Sequence, residues 1–236
     1  MNNIKPSFYF LIFIVAFFSC NPKLSNGLRK NDLKKDVQIE TSMGTMVVRL
    51  SDSTPLHRDN FLKLVKQHFY DSILFHRVIN HFMIQAGDPD SKRAEAGKQL
   101  GEGGPSYTVP AEFRSALFHK KGVIAAARTG DDVNPQKASS GSQFYIVQGK
   151  IFTDAGLDSV ETYRLKGRKL PAEHRAVYKT LGGTPHLDQG YTVFGELVSG
   201  FNVLDSIAAV PTSGRQAGDR PLKDVRIIKM SLVKRK

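Results

Sequence analysis

Eight short runs of β-branched, aromatic and aliphatic residues recur along the chain and constrain its fold more than any other feature. They occupy 37–40, 45–50, 73–79, 82–86, 123–127, 143–147, 191–197 and 225–232, with Gly- and Pro-containing turns between them. Runs of this length and make-up read as strands. Within 45–50, Met46, Val48 and Leu50 fall on one face of a period-two pattern. Ser42-Met43-Gly44 reads as the turn of a hairpin joining the first two runs. Many short strands with few helices imply a sandwich or a barrel. Two helical stripes stand out. Thr54-Pro55 supplies a cap and a first-turn proline ahead of Leu56, Phe61, Leu64, Val65 and Phe69. The second runs over 201–209 with Val203, Leu204 and Ile207 inward, and the two are suited to cap the open ends of a barrel.

The stretch 152–186 follows a different pattern. Asp158-Ser159-Val160-Glu161 resembles a capping box, and 171–181 reads as a short helix stopped by Gly182-Gly183. Lys166, Arg168, Lys169, Glu173, His174, Arg175 and Lys179 give it the composition of a solvated surface. It is expected to be a helical insertion in a loop of the strand-rich body.

At the N-terminus, residues 8–18 form an unbroken apolar run, too short for a spanning helix of ~20 apolar residues. Lys5 precedes it and Ser19-Cys20 follows, the order of a secretory signal. The segment resembles a bacterial lipoprotein signal, with 1–19 removed and Cys20 acylated. Phe17 and Phe18 depart from the usual residues before such a cysteine, and an ordinary export signal or an uncleaved anchor are the alternatives. Residues 20–35, polar and basic, are expected to form a flexible tether to a domain spanning 36–236. Cys20 is the sole cysteine, which excludes an internal disulfide framework and a cysteine zinc site. The formal charge of +12 suits nucleic acid, an anionic membrane surface or acidic clients, and charge alone does not choose among them. Nucleic acid is disfavoured, because basic and aromatic residues do not interleave and export removes the protein from it.

The usual catalytic signatures are missing. There is no HExxH, GxSxG or GxGxxG, and Gly97-Lys98-Gln99 lacks the remainder of a phosphate loop. The seven histidines show no metal-ligand spacing with a carboxylate, so metal catalysis is not expected. What is unusual is Arg77 inside Phe75-His-Arg-Val-Ile79, where alternation puts it on one face with Phe75 and Ile79. Such an arginine is either ion-paired at a sheet edge or part of a site.

Five segments then occur in order: FHRVI at 75–79, FMIQAGD at 82–88, YTVPAEF at 107–113, GSQFYI at 141–146 and LDQGYTVFG at 187–195. Together they resemble the cyclophilins, the cofactor-free peptidyl-prolyl cis/trans isomerases. The resemblance implies a closed eight-stranded antiparallel β-barrel capped by two helices, with an apolar groove on its outer surface. It implies that Arg77 is the catalytic arginine and Gln85 the residue that holds it. Phe82, Met83 and Leu187 match pocket walls, and Gln143 matches a polar groove residue. Tyr145 stands where Phe is common, His186 replaces the frequent Trp, and Tyr191 replaces the frequent His. Ala127 and Arg128 lie where the family bonds the substrate backbone. The expected partners are proline-containing polypeptide clients in folding, and a membrane through the lipid; the default state is a monomer. The missing Trp implies weaker binding of ciclosporin-type cyclic peptides.

Overall fold

Gly44, at φ +127°, closes the tight turn between β1 (Lys35–Thr41) and β2 (Gly44–Leu50), a conformation that a side chain would strain. The register pairs Val37 with Val48 and Ile39 with Met46, so these four apolar residues share one buried face of the hairpin. In this computed structural model residues 27–235 are described. After the hairpin come α1 (Pro55–Lys66), β3 (Arg77–Ile79), β4 (Met83–Ala86), β5 (Thr108–Val109), β6 (Val123–Ala126), β7 (Ser139–Ser140) and β8 (Phe144–Val147). The insertion supplies α2 (Asp154–Tyr163) and α3 (Ala172–Thr180), and β9 (Val193–Ser199), α4 (Phe201–Ala208) and β10 (Ile227–Lys234) complete the order.

All eight expected runs contribute a strand to one antiparallel sheet, ordered β10-β1-β2-β9-β6-β8-β4-β3, while β5 and β7 pair separately. The expected closure is not made. The ladder ends at β3 on one side and β10 on the other, linked through the single bridge Leu74–Arg226 and loop hydrogen bonds such as Phe75 N–H to the Val225 carbonyl. The reason is local: β3 has only three residues, and the Val78 amide donates to the carbonyl of Asp219, a loop residue rather than a strand neighbour. Phe75, expected on the face of Arg77, lies in the interior core instead, because the strand begins only at Arg77.

The interior holds Val37, Ile39, Met46, Val48, Ile124, Ile146 and Met230 from the sheet. Phe61 of α1 sits among Tyr70, Phe144 and Phe194, with ring centroids 5.0–5.4 Å away. Truncating such a buried ring costs ~3–5 kcal/mol. Leu56 departs from the expected stripe and is 51% exposed. Strands β6 and β8 are buried on both faces. Their alternate residues Val123, Ala125, Tyr145 and Val147 form a second apolar cluster with Met83 and Val193 on the outer face. That outer cluster is the floor of the site.

The N-terminal expectations fall partly outside the structure. The signal 1–19, Cys20 and residues 21–26 lie outside the described residues. The expected tether does not extend to residue 35: Leu28 is fully buried in the core, and Asp32 accepts from the Arg29 amide and from Lys66 Nζ at 2.6 Å. The insertion is also more than a solvated surface. Leu157, Leu170 and Tyr178 make a small core with Phe118 and Phe152. Its first helix is capped by Thr153, whose hydroxyl accepts from the Gly156 amide, and the supposed cap Asp158 lies mid-helix, paired with Arg175 at 3.0 Å. Glu161, 2% exposed, accepts from Lys169, the Leu170 amide and Arg175. Burial would push its carboxyl up, but these hydrogen bonds override it and hold the pKa at about 2.

Candidate active site

The antiparallel register assembles the site across four strands. Arg77 on β3 is opposite Gln85 on β4, Gln85 is opposite Tyr145 on β8, and Tyr145 is opposite Ala125 on β6. A parallel row sets Ile79, Met83 and Val147 side by side. Side chains of one row project to one face, so pairing alone brings a cation, an amide and an apolar floor together.

Arg77 is 41% exposed along its side chain, and its Nε stands 3.7 Å from Asp219 Oδ2. Its Nη1 donates to Gln85 Oε1 over a long 3.4 Å. Gln85 Nε2 donates to Gln143 Oε1 at 3.1 Å, and Gln143 Nε2 donates to the carbonyls of Gly101 and Gly103 at 2.7 and 2.8 Å. Every amide oxygen in the chain accepts and every nitrogen donates, so Gln85 has one preferred orientation.

Beside Arg77 lies a cavity of about 160 Å³. Phe82, Met83, Tyr145, Leu187 and Tyr191 supply its apolar lining, with the Tyr191 ring edge-on to Tyr145, and Gln85, Ala127 and Arg128 line it as well. Nine of the eleven predicted site residues therefore meet in one depression. Gln143 lines instead an adjoining cavity of about 750 Å³, walled by the loop from Gly101 to Pro105 and by residues of 127–141, which shares Gln85, Ala127 and Arg128 with the first. The larger cavity is lined mainly by loop residues; the smaller one contains Arg77 beside Phe82, Met83 and Tyr145.

His186 does not line the small cavity. It stacks on Phe82 with centroids 5.6 Å apart and planes at 25°, acting as a buttress. Burial, aided by the Arg164 charge, pushes its imidazole down to about 4, so it is neutral near pH 7. The Ala127 amide is committed to the Gln143 carbonyl, and its own carbonyl accepts from Ser140. The Arg128 side chain is used to hold Tyr191: its Nε donates to the Gly190 carbonyl at 2.7 Å and its guanidinium lies 4.5 Å from the Tyr191 ring centroid. Tyr145 donates nothing to the groove; its hydroxyl is turned inward to His119 at 3.0 Å. Sequence reasoning missed Asp219, His119 and the carbonyls of Gly101 and Gly103. None lies in a periodic pattern, and only the count of histidines drew attention to His119. Among the described residues there is no group of three or more His, Cys, Asp or Glu able to hold a metal.

An arginine poised over an apolar, ring-sized pocket, with no nucleophile beside it, suits a reaction that rotates a bond rather than breaking one. A family model for cyclophilin type peptidyl-prolyl cis-trans isomerases matches residues 36–232. A Staphylococcus haemolyticus protein named for peptidyl-prolyl cis-trans isomerase activity is 35% identical over 210 residues, covering 87% of this chain and 94% of its own. A Streptococcus pyogenes serotype M6 protein, named as a bifunctional phosphatase and peptidyl-prolyl cis-trans isomerase, is 38% identical over 201 residues; the match covers 84% of this chain but only 38% of that one. The crystal structure of a Cryptosporidium parvum cyclophilin type isomerase shares the fold, with a TM-score of 0.62 at 23% identity over 86% of this chain and 99% of that one. The same parasite enzyme crystallised in the presence of the dipeptide Ala-Pro gives a TM-score of 0.61 at 22% identity, over 85% of this chain and 99% of that one. The chain belongs to the cyclophilin-type peptidyl-prolyl cis-trans isomerases. Its activity is rotation about the X-Pro peptide bond.

Proposed function

We propose that Arg77 drives this rotation and that the protein does so outside the cytoplasm, as a membrane-tethered folding catalyst. The X-Pro amide resists rotation by ~18–20 kcal/mol because its nitrogen lone pair is delocalised into the carbonyl. Uncatalysed exchange takes ~10–100 s. In the twisted state the nitrogen regains that lone pair. A donor aimed at it binds the twisted state more strongly than the planar one, which is what lowers the barrier. Arg77 is always charged and carries several rigidly placed donors. Phe82, Met83, Tyr145 and Leu187 hold the proline ring, while Gln85 restricts the guanidinium. The observation that carries the proposal is the registered row from Arg77 through Gln85 to Tyr145 at the edge of the apolar cavity.

The test is exchange of an X-Pro peptide by detergent-solubilised full-length protein, followed by NMR, for wild type and Arg77→Ala. Acceleration lost in the variant with unchanged far-UV circular dichroism supports the assignment. Equal acceleration by both proteins removes Arg77 from the mechanism.

Location rests on the sequence of residues 1–20. Lys5, the apolar run 8–18 and Ser19-Cys20 support cleavage before Cys20 and acylation of its thiol. The +11 that remains after losing Lys5 favours an anionic leaflet. Clients would then be proline-containing exported polypeptides met by a monomeric enzyme at the membrane. Metabolic palmitate labelling of wild type and Cys20→Ala checks the anchor, and label retained by Cys20→Ala rejects it.

A further inference from the structure

Tyr145 is one wall of the proline pocket, and its hydroxyl begins a buried chain of hydrogen bonds that leaves the pocket and ends in the insertion. His119 Nε2 is 3.0 Å from the Tyr145 hydroxyl, and His119 Nδ1 is 3.0 Å from Asp188 Oδ1. The His119 backbone amide also donates to Asp188 Oδ1, at 2.8 Å. The second carboxylate oxygen, Oδ2, accepts from the Tyr178 hydroxyl at 2.8 Å. All four side chains are buried, His119 and Tyr178 completely.

The Asp188 carboxylate accepts from both neighbours, from Nδ1–H of His119 on one oxygen and from the Tyr178 hydroxyl on the other. The Tyr145 hydroxyl, which can donate or accept, pairs with Nε2 of the same imidazole. Burial pushes both phenols well above their ordinary range, so each remains a hydroxyl. The chain thus runs unbroken from the Tyr145 hydroxyl through His119 and Asp188 to the Tyr178 hydroxyl.

Asp188 is also placed to act on a second lining residue. It directly follows Leu187, which lines the cavity with Tyr145, and the short helical turn Pro185–Leu187 links Leu187 back to the end of α3. Arg168 of the insertion donates to the Asp188 carbonyl at 2.6 Å. A buried carboxylate without its donors is costly, so Tyr178 and Arg168 hold Asp188 where it holds both lining residues.

We infer that Tyr178 is a positioning residue for the proline pocket: through Asp188 and His119 it fixes the spacing of Tyr145 and Leu187, so that the 152–186 insertion sets how substrate is bound. This rests on the reading of the Arg77 groove as the active site.

The test is kcat and KM for an X-Pro peptide, measured by NMR exchange on the full-length protein, for wild type, Tyr178→Phe, Tyr145→Phe and the double variant. Tyr178→Phe is expected to raise KM about three- to tenfold with kcat within about twofold. In the Tyr145→Phe background the same change is expected to move KM clearly less, because one of its two links to the pocket is already cut. A lower melting temperature with unchanged KM would mean that Tyr178 only supports the fold, and overturns the inference. An equal rise in both backgrounds also overturns it, since the effect then bypasses the Tyr145 hydroxyl. Should Tyr178→Phe not fold, Tyr145→Phe alone decides: its KM rises if the link matters and stays put if it does not. Arg77→Ala separates the two levels. Retained turnover there overturns the groove reading and this inference with it. Turnover lost in Arg77→Ala, with KM unchanged in Tyr178→Phe, overturns the inference alone.

Discussion

The Nε of Arg77 stands 3.7 Å from the Oδ2 of Asp219, a carboxylate that is nearly buried while the guanidinium remains open to solvent. At that distance the contact is an ion pair and not a hydrogen bond. It orients the cation without consuming a donor that the substrate nitrogen needs. Asp219 adopts φ +56°, and its backbone also supports β3 by accepting from the Val78 amide. Asn tolerates such a backbone, so Asp219→Asn removes the charge and leaves the loop. We expect kcat/KM for an X-Pro peptide to fall about three- to tenfold with the melting temperature little changed. An unaltered kcat/KM would show that the pair is structural only.

Gln85 is held from the far side by Gln143, which is itself tied to the loop carbonyls of Gly101 and Gly103. Gln85→Leu keeps the volume and removes both the acceptor for Arg77 and the donor to Gln143. The long contact to Arg77 limits its rotamers more than it stabilises the fold. The expected signature is a kcat reduced about tenfold with KM nearly constant, the mark of an interaction made only in the transition state. A change confined to KM would assign Gln85 to binding.

Much of this site was legible because a sheet keeps its order in the sequence. The resemblance joined Gln85 to Arg77, and the antiparallel pairing of two strands close in the chain, 77–79 and 83–86, sets the two opposite each other. Tyr145 and Leu187 were readable from motif position. Asp219 was not, because it reaches Arg77 from a Gly-rich loop more than a hundred residues away, where no periodicity marks it. Closure of the barrel was over-read, since three residues of β3 match a strand pattern whether the next neighbour is a strand or a loop. The insertion was legible as helical and its Lys166, Arg168, Lys169, Glu173 and Lys179 are exposed as expected, but its small core was not. Its charges are counted in a sequence as solvated, whereas Glu161 gathers two cations and an amide around a buried carboxylate. Its apolar partners Phe118 and Phe152 precede the helices themselves.

His186 occupies the position where the resemblance led one to look for Trp, and it stacks on Phe82 without reaching the cavity wall. An indole would bury more apolar surface and extend past the edge of Phe82, adding contact for a bulky cyclic ligand. His186→Trp is expected to tighten ciclosporin binding at least about tenfold, since burying further aromatic area contributes ~25 cal/mol per Å². Isothermal titration of both proteins checks it, and equal affinities would show that residue 186 is remote from the ligand.

Acid should weaken the fold through His76, which is buried next to Arg77 in sequence and has neither ring nitrogen hydrogen-bonded among the described residues. Burial lowers its pKa to about 4; the nearby charges of Arg77 and Arg220 add to this, and Asp88 opposes them. In the unfolded chain the same imidazole protonates near 6.5. Between these values the unfolded state binds more protons, so stability is full above about pH 6.5 and declines as pH falls towards 4. At 1.36 kcal/mol per unit the whole effect is about 3 kcal/mol. Carboxylates with lowered pKa values, such as Glu161, lose stability in the same direction but further into acid. Urea titrations of wild type and His76→Gln at pH 7.5 and 4.5 isolate the histidine. The loss of stability between the two pH values should be smaller in the variant by about 2 kcal/mol, and the same loss in both proteins would place the acid sensitivity elsewhere.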